Sequence, residues 1–242
     1  MNYEEKAYDE LLDWQRAIRK KGNIFNRLSK QAQNKVNQWI PEKFHTMMTE
    51  AIKTMVKSAL TGTNLMSKND FIKTFTLEEK ETLIKEQLDK YRKTATVEGA
   101  GTGAGGLFLG LADFPLLLSI KLKFLYDVAK IYQYDVSKYE ERIFLLLVFQ
   151  LAFSSDDKRI ETLQLIENWE QEKGRLIDID WKTFQQEYRD YIDLVKMLQL
   201  LPGIGAAVGA YANYKLLDQL GETAIYAYRM RYFNGLRNIA VD

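Results

Sequence analysis

Two glycine-rich apolar blocks lie 100 residues apart in this chain, and they constrain its architecture more than any other feature. The first runs from Gly99 to Leu118 and carries Gly103, Gly105 and Gly106; the second runs from Leu201 to Leu217 and carries Gly203, Gly205 and Gly209. Shifting one onto the other by 100 positions needs no gap. Seven of the thirty positions from 103 to 132 are then identical, among them Gly103/Gly203, Gly105/Gly205, Tyr126/Tyr226 and Tyr132/Tyr232. Asp113 meets Asn213 in the same comparison. Small residues on a helix face let two backbones approach closely, in membranes and in tightly crossed helix pairs alike. The pattern predicts two similar close-packing helical units, with Gly103, Gly105, Gly106, Gly203, Gly205 and Gly209 at the contacts.

Almost every other segment has helical spacing. Asn2 with Glu5 forms a capping-box signal, followed by Tyr3, Ala7, Leu11, Trp14 and Ile18 up to Gly22. A short helix is expected near 29–38, and a longer one from Pro41 to Gly62. Thr76 and Glu79 form a second box, predicting a helix to about Thr96. Asp113 caps the next helix, with Pro115 in its first turn, to about Tyr134. Ser137 and Glu140 form a third box and open the apolar run Ile143–Phe153. A helix from Asp156 or Asp157 through Trp169, a turn over Gly174–Asp180 and a helix from Trp181 to Leu200 complete the middle. The second glycine block reads as a helix to Leu220, with a break at Gly221 before a last helix. No stretch alternates as a strand does, so the expected fold is an all-α multi-helix bundle in one domain, residues 1–242.

Composition narrows the chemistry. The chain has no cysteine, which removes disulfides, thiolate catalysis and thiolate zinc sites. The charged N-terminus has no apolar signal-peptide core. Net charge is +1, but it is unevenly spread. From Trp14 to Phe75 there are 12 Lys/Arg against 3 Asp/Glu, and from Asp135 to Asp193 there are 8 against 14. The basic third is suited to an anionic surface. The longest uncharged run, Met197–Tyr214, has 18 residues but contains Gln199, Pro202 and Asn213. Two readings of the glycine blocks stand side by side: buried helices of a bundle, or shallow interfacial membrane segments.

The search for a reacting centre finds little. Gly101-Thr-Gly103-Ala-Gly-Gly106 matches the dinucleotide spacing, but a polar helical stretch precedes it where a buried strand is required. His45 is the single histidine and has no acidic partner at ligand spacing. Glu140/Glu141 and Asp156/Asp157 sit where helix caps belong. Glu167 and Glu170 share a helical face without a Glu-x-x-His unit. Asp113 is the carboxylate of most interest: a cap explains its match to Asn213, and a functional buried acid is the other reading. Glu98, Asp218 and Glu222 flank the blocks and are further candidates. No catalytic residue, metal site, cofactor or nucleic-acid module is expected.

The segments Gly-Ala-Gly-Thr-Gly-Ala-Gly-Gly with Ala112-Asp-Phe-Pro115, and Leu201-Pro-Gly-Ile-Gly-Ala-Ala-Val-Gly-Ala-Tyr-Ala-Asn-Tyr-Lys-Leu-Leu-Asp218, resemble the EcsC protein family. The resemblance implies a bacterial protein encoded beside the Ecs ABC transporter, and no known reaction. The expected function is that of a non-enzymatic accessory protein, cytoplasmic or peripheral at the inner membrane face. Transporter subunits and anionic membrane are its expected partners. The alternatives are a lipid- or apolar-ligand-binding helical module and a carboxylate-dependent hydrolase.

Overall fold

A computed structural model describes residues 2–24, 42–62, 75–102, 114–154, 156–178 and 206–239. Among these residues it is all-α. The helices are α1 (Tyr3–Ile24), α2 (Glu42–Thr61), α3 (Leu77–Thr102), α4 (Phe114–Ile131), α5 (Tyr139–Phe153), α6 (Asp156–Glu167), α7 (Trp169–Asp178) and α8 (Ala206–Ile239). The helices expected over 29–38 and 181–200 fall outside the described residues.

Two of the three capping boxes form as read. The Glu5 N–H donates to Asn2 Oδ1 at 2.8 Å and the Asn2 N–H to Glu5 Oε2 at 3.0 Å. The Glu79 N–H donates to Thr76 Oγ1 at 3.3 Å and the Thr76 N–H to Glu79 Oε2 at 2.8 Å. The third box does not form. Asp135, two residues earlier, takes both the Ser137 N–H (2.9 Å) and its hydroxyl (2.6 Å), and α5 starts after Lys138 with no side-chain cap. These bonds to Ser137 hold the Asp135 carboxyl below its usual range.

Other boundaries also differ from the sequence reading. Gly221 does not break the chain: α8 runs through it for 34 residues. A helical glycine costs only about 1 kcal/mol, and here the missing side chain makes room for Leu88 of α3. A Cβ at Gly221 would lie 2.7 Å from Leu88 Cδ2. Residues 174–178 continue α7 rather than turning, and the break falls earlier, at Asn168. Glu167 and Glu170 therefore end one helix and begin another instead of sharing a face.

The centre of the fold is an antiparallel pair, α3 with α8. Its register is fixed at three levels: Glu81 with Arg229, Leu88 with Gly221, and Arg92 with Asp218. α4 also lies antiparallel to α3. The Tyr91 hydroxyl donates to Asp127 at 2.6 Å, and eleven residues earlier in α3 the Lys80 ammonium lies 5.9 Å from the Tyr132 ring. α4 and α8 thus run parallel to each other on α3. Tyr132 and Tyr232, matched by the 100-residue comparison, flank the same Lys80, each ring centre 5.9 Å from its nitrogen.

α5 fills the interior, buried at every position from Ile143 to Phe153. α2 joins α4 through the Tyr126 hydroxyl, which donates to the Ala59 carbonyl at 2.8 Å. α1 lies on α8, with Trp14 stacked on Tyr226 at 4.7 Å. Among the described residues no helix is long and apolar enough to cross a membrane.

Candidate functional site

The most polar part of the interior lies along α8, where two arginines two residues apart point to different neighbours. The Arg229 guanidinium meets Glu81 of α3 side-on, Nε to Oε1 and Nη2 to Oε2, both at 2.6 Å. Its remaining nitrogen donates to Glu10 at 3.0 Å and to the Ala7 carbonyl at 3.2 Å, both on α1. Tyr3 adds a hydroxyl to Glu81 at 2.7 Å. Burial pushes the Arg229 pKa down, but hydrogen bonding and attraction from Glu81, then Glu10, outweigh it and raise the pKa. Burial and the bond to Glu81 push the Tyr3 phenol up to about 12.

Arg231 faces the other way, toward α5. It pairs with both oxygens of Glu141 at 2.6 and 2.7 Å. Its guanidinium carbon lies 3.7 Å from the Tyr134 ring centre and 4.5 Å from that of Phe144. A planar cation suits this seat, since its edge satisfies a carboxylate while its faces rest on aromatic rings. Glu141 is thus a buried partner of α8 rather than only an acid near a helix start. Tyr228, one residue before Arg229, is fully buried, stacked on Tyr132 at 4.9 Å, and burial raises both phenols well above their usual range.

The residues singled out from sequence are distributed differently. Asp218 pairs with Arg92 of α3, whose guanidinium also meets Asp89 at 2.6 Å and lies 4.7 Å from the Tyr214 ring centre. Glu222, one turn further along α8, is exposed. Glu98 belongs to α3, and Gly209 and Asn213 belong to α8; the surroundings of all three lie outside what is described. Asp113, Gly103, Gly105, Gly106, Gly203 and Gly205 lie outside the described residues altogether. The structure therefore ties Asp218 to an arginine and does not gather it with Glu222 into one centre.

A cleft of about 50 Å³ opens between α2 and α4, lined by Thr54, Met55, Ser58, Ser119 and Leu122 among others. Two of its hydroxyls are spent on their own helices: Thr54 donates to the Glu50 carbonyl at 2.8 Å and Ser119 to the Pro115 carbonyl at 2.9 Å. Its volume suits water rather than a substrate. Among the described residues no cluster of histidines and carboxylates is arranged to hold a metal.

Sequence reasoning did not find Glu81, Glu141 or Lys121 as buried polar groups. Lys121 of α4 is only 2% exposed, and burial lowers its pKa to about 8. The signal was present in its phase. Lys121 shares a helical face with Leu117, Leu118 and Leu125, whereas Lys123 falls on the exposed face with Leu116.

An all-helical bundle, closed by ion pairs between its last described helix and three earlier ones, is the class these features define. The chain belongs to the EcsC protein family, which matches residues 5–233. It is 55% identical over 222 residues to Protein EcsC of Bacillus subtilis (strain 168), covering 92% of this chain and 93% of that one. A second relative, Uncharacterized protein YdbA of the same organism, is 35% identical over 153 residues, covering 61% of this chain and 56% of that protein. No solved structure gives a significant match.

Proposed function

We propose that this chain is a non-enzymatic accessory protein of an ABC transporter system, cytoplasmic or peripheral at the inner face of the membrane. Family membership carries the reading, because the EcsC resemblance implies a protein encoded beside the Ecs transporter. The use of charge in the interior favours a structural rather than a chemical role. Glu81, Glu141 and Asp218 are each engaged by an arginine from another helix, so these carboxylates fasten helices together. A general acid or base needs an open position facing a substrate.

The test is isolation of the tagged full-length chain from mildly crosslinked cells of its own host. The transporter's ATPase and membrane subunits are expected to be enriched over an unrelated tagged protein. Recovery of the intact chain without either subunit, from cells that express both, would remove the transporter reading.

A further inference from the structure

Surface charge in this fold is mostly spent in pairs. Arg16 meets Asp13 on α1, Lys158 meets Glu161 on α6, and Arg175 meets Glu172 on α7. Lys57 of α2, Lys90 and Lys93 of α3 and Lys123 of α4 depart from this pattern. All four are exposed, and among the described residues none of them has a carboxylate partner.

The packing of α4 brings three of them to one level. Its Tyr126 hydroxyl donates to the Ala59 carbonyl of α2, and its Phe124 ring lies 5.6 Å from the Tyr91 ring of α3. Lys57 stands two residues before Ala59, Lys90 one before Tyr91, and Lys123 one before Phe124. At about 3.6 residues per turn, Tyr126 and Phe124 point to opposite flanks of α4. Between those flanks, on the side away from the buried leucines, runs the stripe Leu116, Ile120, Lys123 and Asp127. Helices packed side by side stand about 8–10 Å apart, so Lys57, Lys123 and Lys90 are spread over about 20 Å of one face. This face continues the basic stretch, which supplies Lys57, across α4 onto α3. Acids offset its charge only in part: Glu50 is engaged by Lys53 and Asp127 by the Tyr91 hydroxyl, and Glu86, one turn before Lys90, is exposed.

The same stripe is apolar at its other end. Leu116, seven residues before Lys123 and about 10 Å from it along the axis, is 48% exposed. Spread cations with an apolar side chain beside them suit a lipid surface, which attracts the charge to its headgroups and buries the carbon beneath them. Phosphates of a nucleic acid are met best by arginine forks, and all four of these cations are lysines.

We propose that the exposed face formed by α2, α4 and α3 rests on an anionic phospholipid bilayer, with Lys57, Lys90 and Lys123 at the headgroups and Leu116 dipping below them. The inference rests on the peripheral-membrane part of the function proposed above and requires no contact with a transporter.

Vesicle binding by the full-length chain tests it, with phosphatidylglycerol mixed into phosphatidylcholine, with phosphatidylcholine alone, and with a DNA duplex as a second polyanion. The face variant carries Lys57→Gln, Lys90→Gln and Lys123→Gln. A control variant carries Lys6→Gln, Lys138→Gln and Arg175→Gln, which remove the same charge from exposed positions elsewhere. All variants should melt with the wild type, because the altered side chains are exposed. The wild type and the control are expected to bind the anionic vesicles alike, and the face variant about tenfold or more weakly. Leu116→Ser should weaken binding about fivefold and leave its salt dependence unchanged. Equal losses in the face and control variants would overturn the proposal while leaving membrane binding intact, since net charge alone would then be responsible. Full binding by the face variant or by Leu116→Ser would overturn it in the same way. No binding of the wild type to anionic vesicles would overturn both this face and the peripheral reading. Tighter binding to the duplex than to the vesicles, lost in the face variant, would assign the face to nucleic acid instead.

Discussion

Arg231 and Glu141 show how much one buried pair can decide. The two side chains are nearly closed off from water, and their ion pair is made through two hydrogen bonds. Removing one partner strands the other as a lone buried charge, at a cost of about 3–5 kcal/mol. Arg231→Met should therefore lower the urea-unfolding free energy by about that amount. The double variant Arg231→Met, Glu141→Leu should recover most of the loss, because no charge is then left without a partner. A double variant as unstable as the single one would show that the stacking on Tyr134 and Phe144 matters more than the carboxylate. Arg231 was visible in the sequence, but its partner lies 90 positions away, and no local pattern connects them.

At the scale of elements, the antiparallel pair of α3 and α8 depends on close approach at Gly221. A leucine there would have to displace the buried Leu88 side chain, and overpacking of this kind costs about 1–3 kcal/mol. Gly221→Leu should lower the melting temperature, and Leu88→Ala in the same chain should restore part of it. Gly221→Ala should be nearly neutral, since the gain in helix propensity of about 1 kcal/mol opposes a small displacement of a flexible side-chain end. An unchanged melting curve for Gly221→Leu would mean that the helices do not meet at this level.

The same position shows what a sequence can and cannot reveal about elements. Periodicity locates the helices, and the boxes at Asn2 and Thr76 mark two of their starts, because those bonds join residues three apart. The box at Ser137 fails because a nearer acceptor, Asp135, competes for the same donors. The glycine at 221 reads locally as a stop, yet the packing of α3 decides otherwise. The buried site was legible only in part. Arg229 and Arg231 fall in the last helical stretch, but no local pattern indicates Glu81 and Glu141, which lie 148 and 90 positions away. The main glycine positions and Asp113 lie outside the described residues, so the reading built on them rests on the sequence.

Across the whole molecule, the basic stretch from Trp14 to Phe75 remains the feature best suited to a membrane surface. Several of its cations already have carboxylate neighbours: Arg16 with Asp13, Arg19 with Glu167, and Lys53 with Glu50. Such exposed pairs are weak, and a dense anionic surface competes with them. The chain should co-sediment with anionic vesicles more than with neutral ones, and less as salt rises from about 50 to 500 mM and the Debye length shrinks. Equal sedimentation with both kinds of vesicle would remove the electrostatic reading. A different consequence follows from the pairing of Glu81 with Arg229, which spans 148 positions. α5 is covered by a helix that leaves the ribosome more than fifty residues after it. Until then α5 can pack on α2, α4, α6 and α7, but the face that α8 covers stays open and Glu81 and Glu141 lack their arginines. The order of synthesis thus sets a waiting period in the birth of this protein, which ends when the arginines of α8 emerge and the core can close.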